Sequence, residues 1–113
     1  MTAERAVELS QRLLEAVGIV GWSARIVRFT DYPKRFGLCS RSNKRIDLNW
    51  IYLTDDGEMR ETIIHEVAHA LIPDAERAKP GQDEHEFAAF RKSLCECARA
   101  FQKLESNVTS FGK

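Results

Sequence analysis

The side chains able to do chemistry in this sequence are gathered in one short run. His65 and His69 bracket Glu66 in Thr62–Ile63–Ile64–His65–Glu66–Val67–Ala68–His69, an HExxH pattern. On a helix, residues four apart share a face, displaced by about one turn. Two imidazoles so placed can reach one zinc ion at about 2.0–2.1 Å. Glu66 follows the first ligand directly and falls outside that ligand direction, where it can contact a water on the metal. Zinc lowers the pKa of such a water towards about 7, and a carboxylate can take its proton as it attacks a carbonyl. The pattern therefore meets the needs of peptide hydrolysis.

A catalytic zinc usually has three protein ligands and one open position. The remaining histidine is His85, and Asp83, Glu84 and Glu86 around it compete as oxygen donors. His85 is preferred, because all three histidines then serve one site. Chance occurrence of HExxH is disfavoured by its place on an amphipathic helix with apolar flanks. A purely structural zinc would fill four ligands and has no need of a base at Glu66.

The elements that must position these residues read as follows. Thr2 caps a first helix with Ala6, Val7, Leu9, Leu13, Leu14 and Val17 on its apolar side. Gly18 and Gly21 mark its end. Trp22–Thr30, Phe36–Ser40 and Arg45–Leu53 read as strands, with Ile46, Leu48 and Trp50 on one face of the last. Ser42–Asn43–Lys44 reads as a hairpin turn, so the three strands are expected to form a small antiparallel meander. Asp55 and Glu58 have capping-box spacing and open the HExxH helix, whose stripe is Met59, Ile63, Val67 and Leu71 and which Pro73 closes. Asp74–Gln82 reads as a loop. Asp83 and Glu86 suggest a second capping box before a last helix with Phe87, Phe90, Leu94, Ala98, Phe101 and Leu104. Residues 106–113 are expected to be a frayed tail. The expected fold class is α+β: a single domain over residues 1–113, with helix, small antiparallel sheet, HExxH helix and C-terminal helix in that order.

The chain has 113 residues, of which 43% are hydrophobic, enough for one modest core and against a disordered reading. Its formal net charge is zero, which excludes global attraction to nucleic acid or anionic membrane. The charge is uneven, however. Arg25, Arg28, Lys34, Arg35, Arg41, Lys44 and Arg45 lie in one stretch opposed there only by Asp31. Cys39, Cys95 and Cys97 form no CxxC pair and leave one over in any disulfide scheme, which suits a reducing compartment. No apolar run approaches a membrane span, and the first residues lack the apolar centre of a signal peptide. A cytoplasmic monomer is the expectation.

Taken together, these residues resemble the SprT-like (Spartan-type) metallopeptidase family. The resemblance covers most of the chain: an amphipathic first helix, the basic segment FGLCSRSNKRIDLNW, then ETIIHEVAHAL, then DEHEFAAF. It includes a Gly-x-Cys stretch at Gly37–Leu38–Cys39 followed by the strand Arg45–Ile46–Asp47–Leu48. The resemblance implies zinc at His65, His69 and His85 and a catalytic glutamate at Glu66. Family members commonly have glycine on both sides of the third histidine, where this chain has Glu84 and Glu86. Many also carry a cysteine-rich ribbon or a tail with DNA- and partner-binding motifs, and this sequence has neither. The resemblance therefore implies the peptidase site more directly than a role in cleaving DNA-crosslinked protein.

Two function classes follow. The first is a zinc endopeptidase acting on a protein substrate, with DNA-associated proteins as the candidate class. The alternatives are a nucleic-acid-binding module with a structural or vestigial zinc, and a peptidase that cleaves a regulatory protein. The basic stretch, interleaved with Phe29, Tyr32 and Phe36, is the candidate for weak binding of single-stranded DNA. Its competing reading is a solvated sheet face over core aromatics. Trp22, Trp50, Cys39, Cys95 and Cys97 are expected to be core. Tyr32 and Tyr52 are the candidates for oxyanion stabilisation.

Overall fold

The structure is a computed structural model; it describes residues 1–111, with side chains through residue 106. Helix α1 (Ala3–Ala16) begins where the Thr2 side chain accepts from the Arg5 N–H. Ala6, Leu9, Leu13 and Leu14 are buried along one face, and the buried Ser10 hydroxyl donates to the Ala6 carbonyl at 2.8 Å. The helix stops at Gly18, whose φ of 83° few side chains tolerate. There Ile19 N–H reaches back to the Leu14 carbonyl at 2.8 Å.

The sheet holds strands β1 (Ser23–Val27), β2 (Gly37–Ser40) and β3 (Arg45–Asn49) in the order β1-β3-β2. It is mixed rather than the expected antiparallel meander: β1 runs parallel to β3, from Ser23 opposite Arg45 to Val27 opposite Asn49. Only β2 and β3 pair antiparallel, from Gly37 opposite Leu48 to Ser40 opposite Arg45. The physical reason lies in β3. Ile46, Asp47, Leu48 and Asn49 are all buried, so both faces of this strand are covered and it takes the centre. Asn49 then holds the β1–β2 connection in place, its side-chain amide donating to the carbonyls of Pro33 at 2.8 Å and Arg35 at 2.6 Å.

The third strand is shorter than expected. Asn49 Oδ1 accepts from Ile51 N–H and starts a 3₁₀ turn over Trp50–Thr54. Trp50 therefore leaves the strand face and is 42% exposed, with the Arg28 guanidinium 4.4 Å above its ring. Trp22 packs against the core as a half-buried side chain.

Helix α2 (Asp56–Leu71) opens at Asp55, whose carboxylate accepts from Glu58 N–H at 3.0 Å. Met59, Ile63 and Val67 are fully buried, each worth about 1.5–3 kcal/mol of apolar burial. Leu71, expected on that stripe, is only partly buried. Two short 3₁₀ turns follow, Asp74–Glu76 and Glu84–Glu86, before helix α3 (Ala88–Phe111). Asp83 caps the second turn by accepting from His85 N–H, so the expected capping box serves that turn rather than α3. On α3 the inward positions include Phe90, Cys97 and Phe101; Ala98 and Cys95, both expected inside, are exposed. The expectation of a frayed tail falls partly outside the described residues. One cluster of buried side chains joins α1, β1, β3, α2 and α3, and α2 lies against both other helices and against β2 and β3.

Candidate metal centre

The helical spacing of α2 sets His65 and His69 one turn apart on a face turned away from the core. The turn Glu84–Glu86 brings His85 to them. The three Nε2 atoms form a triangle with sides of 2.9, 3.1 and 3.2 Å. Among the described residues, these three histidines are the group able to hold a metal ion. A tetrahedral zinc with bonds of about 2.0–2.1 Å needs about 3.3–3.4 Å between ligand nitrogens. The triangle is within a few tenths of an ångström of that.

Proton positions decide what the triangle means. His69 Nδ1 lies 2.7 Å from Glu84 Oε1, and His85 Nδ1 lies 2.7 Å from Asp83 Oδ1. Burial alone would raise Glu84, but hydrogen bonds from His69 and from the Ala78 N–H hold its carboxyl below the usual range. The hydrogen bond from His85 does the same for Asp83. Ionised carboxylates only accept, so both rings carry hydrogen on Nδ1. Burial disfavours the charged form of His69, and burial together with the other two histidines lowers His65 to about 4. With both Nδ1 atoms committed to carboxylates, the Nε2 lone pairs of two uncharged rings would face each other across the 3.1 Å between His69 and His85. A cation resolves that conflict; carboxylates on the second nitrogen are the usual support of metal-binding histidines.

The fold groups His85, rather than the carboxylates beside it, with His65 and His69. Asp83 and Glu84 support His85 and His69 from behind, and Glu86 stands outside the cluster. Glu84, at a position where a glycine is common in the family resembled, instead supplies one of the two supporting carboxylates. Phe90 forms the floor, with its ring centroid 5.2, 4.5 and 5.0 Å from those of His65, His69 and His85. Its helical spacing had marked it only as core.

Glu66 shares a cleft of about 290 Å³ with the three histidines. It is 7% exposed, and burial pushes its carboxyl up to about 7 while the Arg35 charge pulls the other way. A cation on the three imidazoles would pull it down further. Gly37 explains how close the sheet comes. A Cβ there would stand 2.9 Å from the Asp47 carbonyl, 2.9 Å from Thr62 Cγ2 and 3.1 Å from Glu66 Cγ. Only glycine lets β2 lie this tightly against the Thr62–Glu66 turn of α2. Cys39 also lines the cleft, half-buried, its thiol pushed up to about 12 by burial first and by Glu66 next. It stays a thiol rather than a thiolate.

The HExxH run and the DEHEF segment meet at the metal triangle, and the Gly-x-Cys stretch lies against Glu66. A comparison with known families matches the SprT-like family over residues 2–110. The chain belongs to the SprT-like family. This family is associated with zincin-like metallopeptidases. No curated protein and no solved structure matches the chain. Among the described residues, no helix is long and apolar enough to cross a membrane.

The seven basic residues have separate fates in this SprT-like chain. Arg25 and Arg45 both donate to Asp47 Oδ1 at 2.8 Å. Arg41 donates to the carbonyls of His69, Ala70 and Ile72 and to Asp74 Oδ1 at 2.6 Å, closing the C-terminus of α2. Arg28 stacks on Trp50, and Arg35 lines the cleft. Lys34 and Lys44 are exposed. Counting Asp31 as the sole opposing charge misses Asp47 and Asp74, which folding brings to the same arginines.

Proposed function

We propose that this SprT-like chain is a zinc-dependent endopeptidase. The observation that carries the reading is the convergence of three Nε2 atoms, two of them on rings whose other nitrogen is held by a carboxylate, in one cleft with Glu66. When bound, zinc supplies Lewis acidity and brings a water's pKa towards about 7. His65, His69 and His85 hold the ion. Glu66 takes a proton from the attacking water and returns it to the departing amine. An outer strand, β2 has β3 as its sheet neighbour and sets Gly37, Leu38 and Cys39 along the cleft. An extended peptide can add to its free edge by backbone hydrogen bonds.

The test is Glu66→Gln, which preserves shape and removes the base. The variant should keep zinc and melting temperature but lose cleavage of casein or of its own chain, read by mass spectrometry. Cleavage at the wild-type rate would overturn the role of Glu66.

A second reading concerns single-stranded DNA beside the cleft. It is favoured by exposed aromatic rings next to cations: Tyr32 is 64% and Phe36 47% exposed, with Lys34 between them and Arg28 over Trp50. Bases stack on such rings, and phosphate contacts make binding fall steeply with salt. Arg28→Ala with Lys34→Ala should weaken oligonucleotide binding in fluorescence anisotropy at low salt. Equal binding by wild type and this pair, or none by wild type, removes the DNA reading and leaves a peptidase.

A further inference from the structure

Peptide hydrolysis, the reading on which this inference rests, develops charge on one atom that none of the residues above stabilises. As water adds to the carbonyl carbon, the C=O π pair moves onto the oxygen, and that oxygen needs a donor already in place. Tyr32 and Tyr52 are the sequence candidates, and the fold places both outside the cleft that holds Glu66. Tyr52 donates its hydroxyl to the Lys34 carbonyl at 2.7 Å. Tyr32 lays its ring against the Arg35 guanidinium, 4.9 Å from centroid to Cζ. Neither lines the cleft that holds Glu66.

Arg35 does line that cleft, with His65, Glu66, His69 and His85. Its backbone is clamped on both sides: its N–H donates to the Tyr32 carbonyl at 2.9 Å, and its carbonyl accepts from Asn49 at 2.6 Å. Its guanidinium is held by aromatic faces, Tyr32 on one count and Phe29 at 5.7 Å on another. The contact with Asp31, at 3.9 Å, is too long for a hydrogen bond. Arg35 Nε is closed off from water with no partner, and among the described residues it is the one buried side-chain nitrogen or oxygen so left. Buried donors without partners are rare in folded proteins and call for an explanation, such as a catalytic role. The other cleft arginines are less suited. Arg41 is consumed by the end of α2, and Arg77 is exposed on the connection between α2 and α3.

We propose that Arg35 is a catalytic residue whose terminal N–H groups, on a side chain that is 31% exposed, donate to the oxygen of the scissile carbonyl and offset the negative charge developing there. The water oxygen bonds to the carbonyl carbon, one water proton passes to Glu66, and the π pair moves to the oxygen facing Arg35. When that pair returns, the C–N bond breaks and the amine leaves with the proton from Glu66. A cation held by stacking, with only the long 3.9 Å contact to Asp31, keeps its terminal N–H groups free of hydrogen bonds for this purpose.

The experiment compares wild type, Arg35→Ala, Arg35→Lys and Glu66→Gln as zinc-loaded full chains on one peptide cut by wild type. Zinc content and melting temperature are measured for each. Arg35→Ala should lower kcat by about 10²–10³-fold, the loss seen when one oxyanion donor is removed, with KM little changed. Arg35→Lys should fall between it and wild type. Added guanidinium at low millimolar concentration should restore part of the activity of Arg35→Ala and none of Glu66→Gln. A phosphinic peptide, which mimics the tetrahedral intermediate, should lose affinity for Arg35→Ala in step with kcat. If Arg35→Ala does not fold, Arg35→Lys and the phosphinic peptide carry the comparison. An active wild type and inactive Glu66→Gln, with an Arg35 variant at wild-type kcat or impaired in KM alone, overturn the role of Arg35 and leave the peptidase intact. A zinc-loaded wild type that cuts no peptide overturns both.

Discussion

At the scale of single residues, the site depends on atoms that are not ligands. Glu84 accepts from Nδ1 of His69 and so leaves the Nε2 lone pair facing the position that an ion would take between the three rings. Glu84→Gln should weaken zinc affinity about 10–100-fold, the usual cost of losing such a partner, as read by competition with a chromogenic chelator. Unchanged affinity would show that ring packing against Phe90 suffices. Gly37 acts by having no side chain. Gly37→Ala places a carbon 2.9 Å from a backbone oxygen, which cannot move as a flexible side-chain end would. The strand must shift, at about 1–3 kcal/mol for an overpacked contact, and Glu66 shifts with it. Activity should therefore fall more than the melting temperature alone accounts for, and a stable, fully active Gly37→Ala would contradict the close approach.

At the scale of elements, two arginine-carboxylate arrangements join the sheet to itself and to α2. Arg41, on the turn after β2, binds the last carbonyls of α2, groups that no helix can satisfy internally. Asp47, on β3, is 4% exposed and draws Arg25 from β1 and Arg45 from its own strand. Burial would raise its carboxyl, but hydrogen bonds from both arginines outweigh this and hold it below the ordinary 3.8. The folded form is thus the more acidic one. Its stabilisation is present above the unfolded value, near 3.8, and disappears as pH falls through the lower folded value. Asp47→Asn should cost about 1–3 kcal/mol at pH 7, a figure reduced from that of a fully buried pair because Arg25 is half exposed. The gap between variant and wild type should close below about pH 3.8. Urea midpoints across pH 2–7 check it; a gap that widens in acid would reverse the assignment.

At the scale of the molecule, metal and fold are linked. Two of the three candidate ligands come from α2 and one from the turn before α3, so an ion bound at the triangle would tie α3 to α2. Zinc at a free concentration a hundred times its Kd should add about 2.7 kcal/mol. Chelation with EDTA should then lower the melting temperature by roughly 10 °C for a chain of this size. His85→Ala should show the same low temperature with or without chelator. A melting temperature insensitive to EDTA in zinc-loaded protein would mean that the ion does not join the helices.

The sequence by itself determined what depends on near neighbours along the chain. The i, i+4 pair His65 and His69, the place of Glu66 between them, the caps at Thr2 and Asp55, and the stripe Met59–Ile63–Val67 are all set by helical geometry within a few residues. The places of the three strands were legible from β-forming residues between turns, but not their ends, and β3, buried on both faces, shows no alternation. What the tertiary structure alone decided is who meets whom across long separations. Alternation says which face a residue takes but not which strand lies beside it, so the parallel β1–β3 pair and the central place of β3 were hidden. Asp83, Glu84, His85 and Glu86 have similar ligand chemistry, and only the fold turned His85 inward and the two carboxylates behind the rings. Arg35 and Arg41 looked alike as members of one basic stretch. Packing separated them, sending Arg41 to helix carbonyls and leaving Arg35 Nε buried without a partner, because hydrogen-bond satisfaction depends on the surroundings that folding assembles.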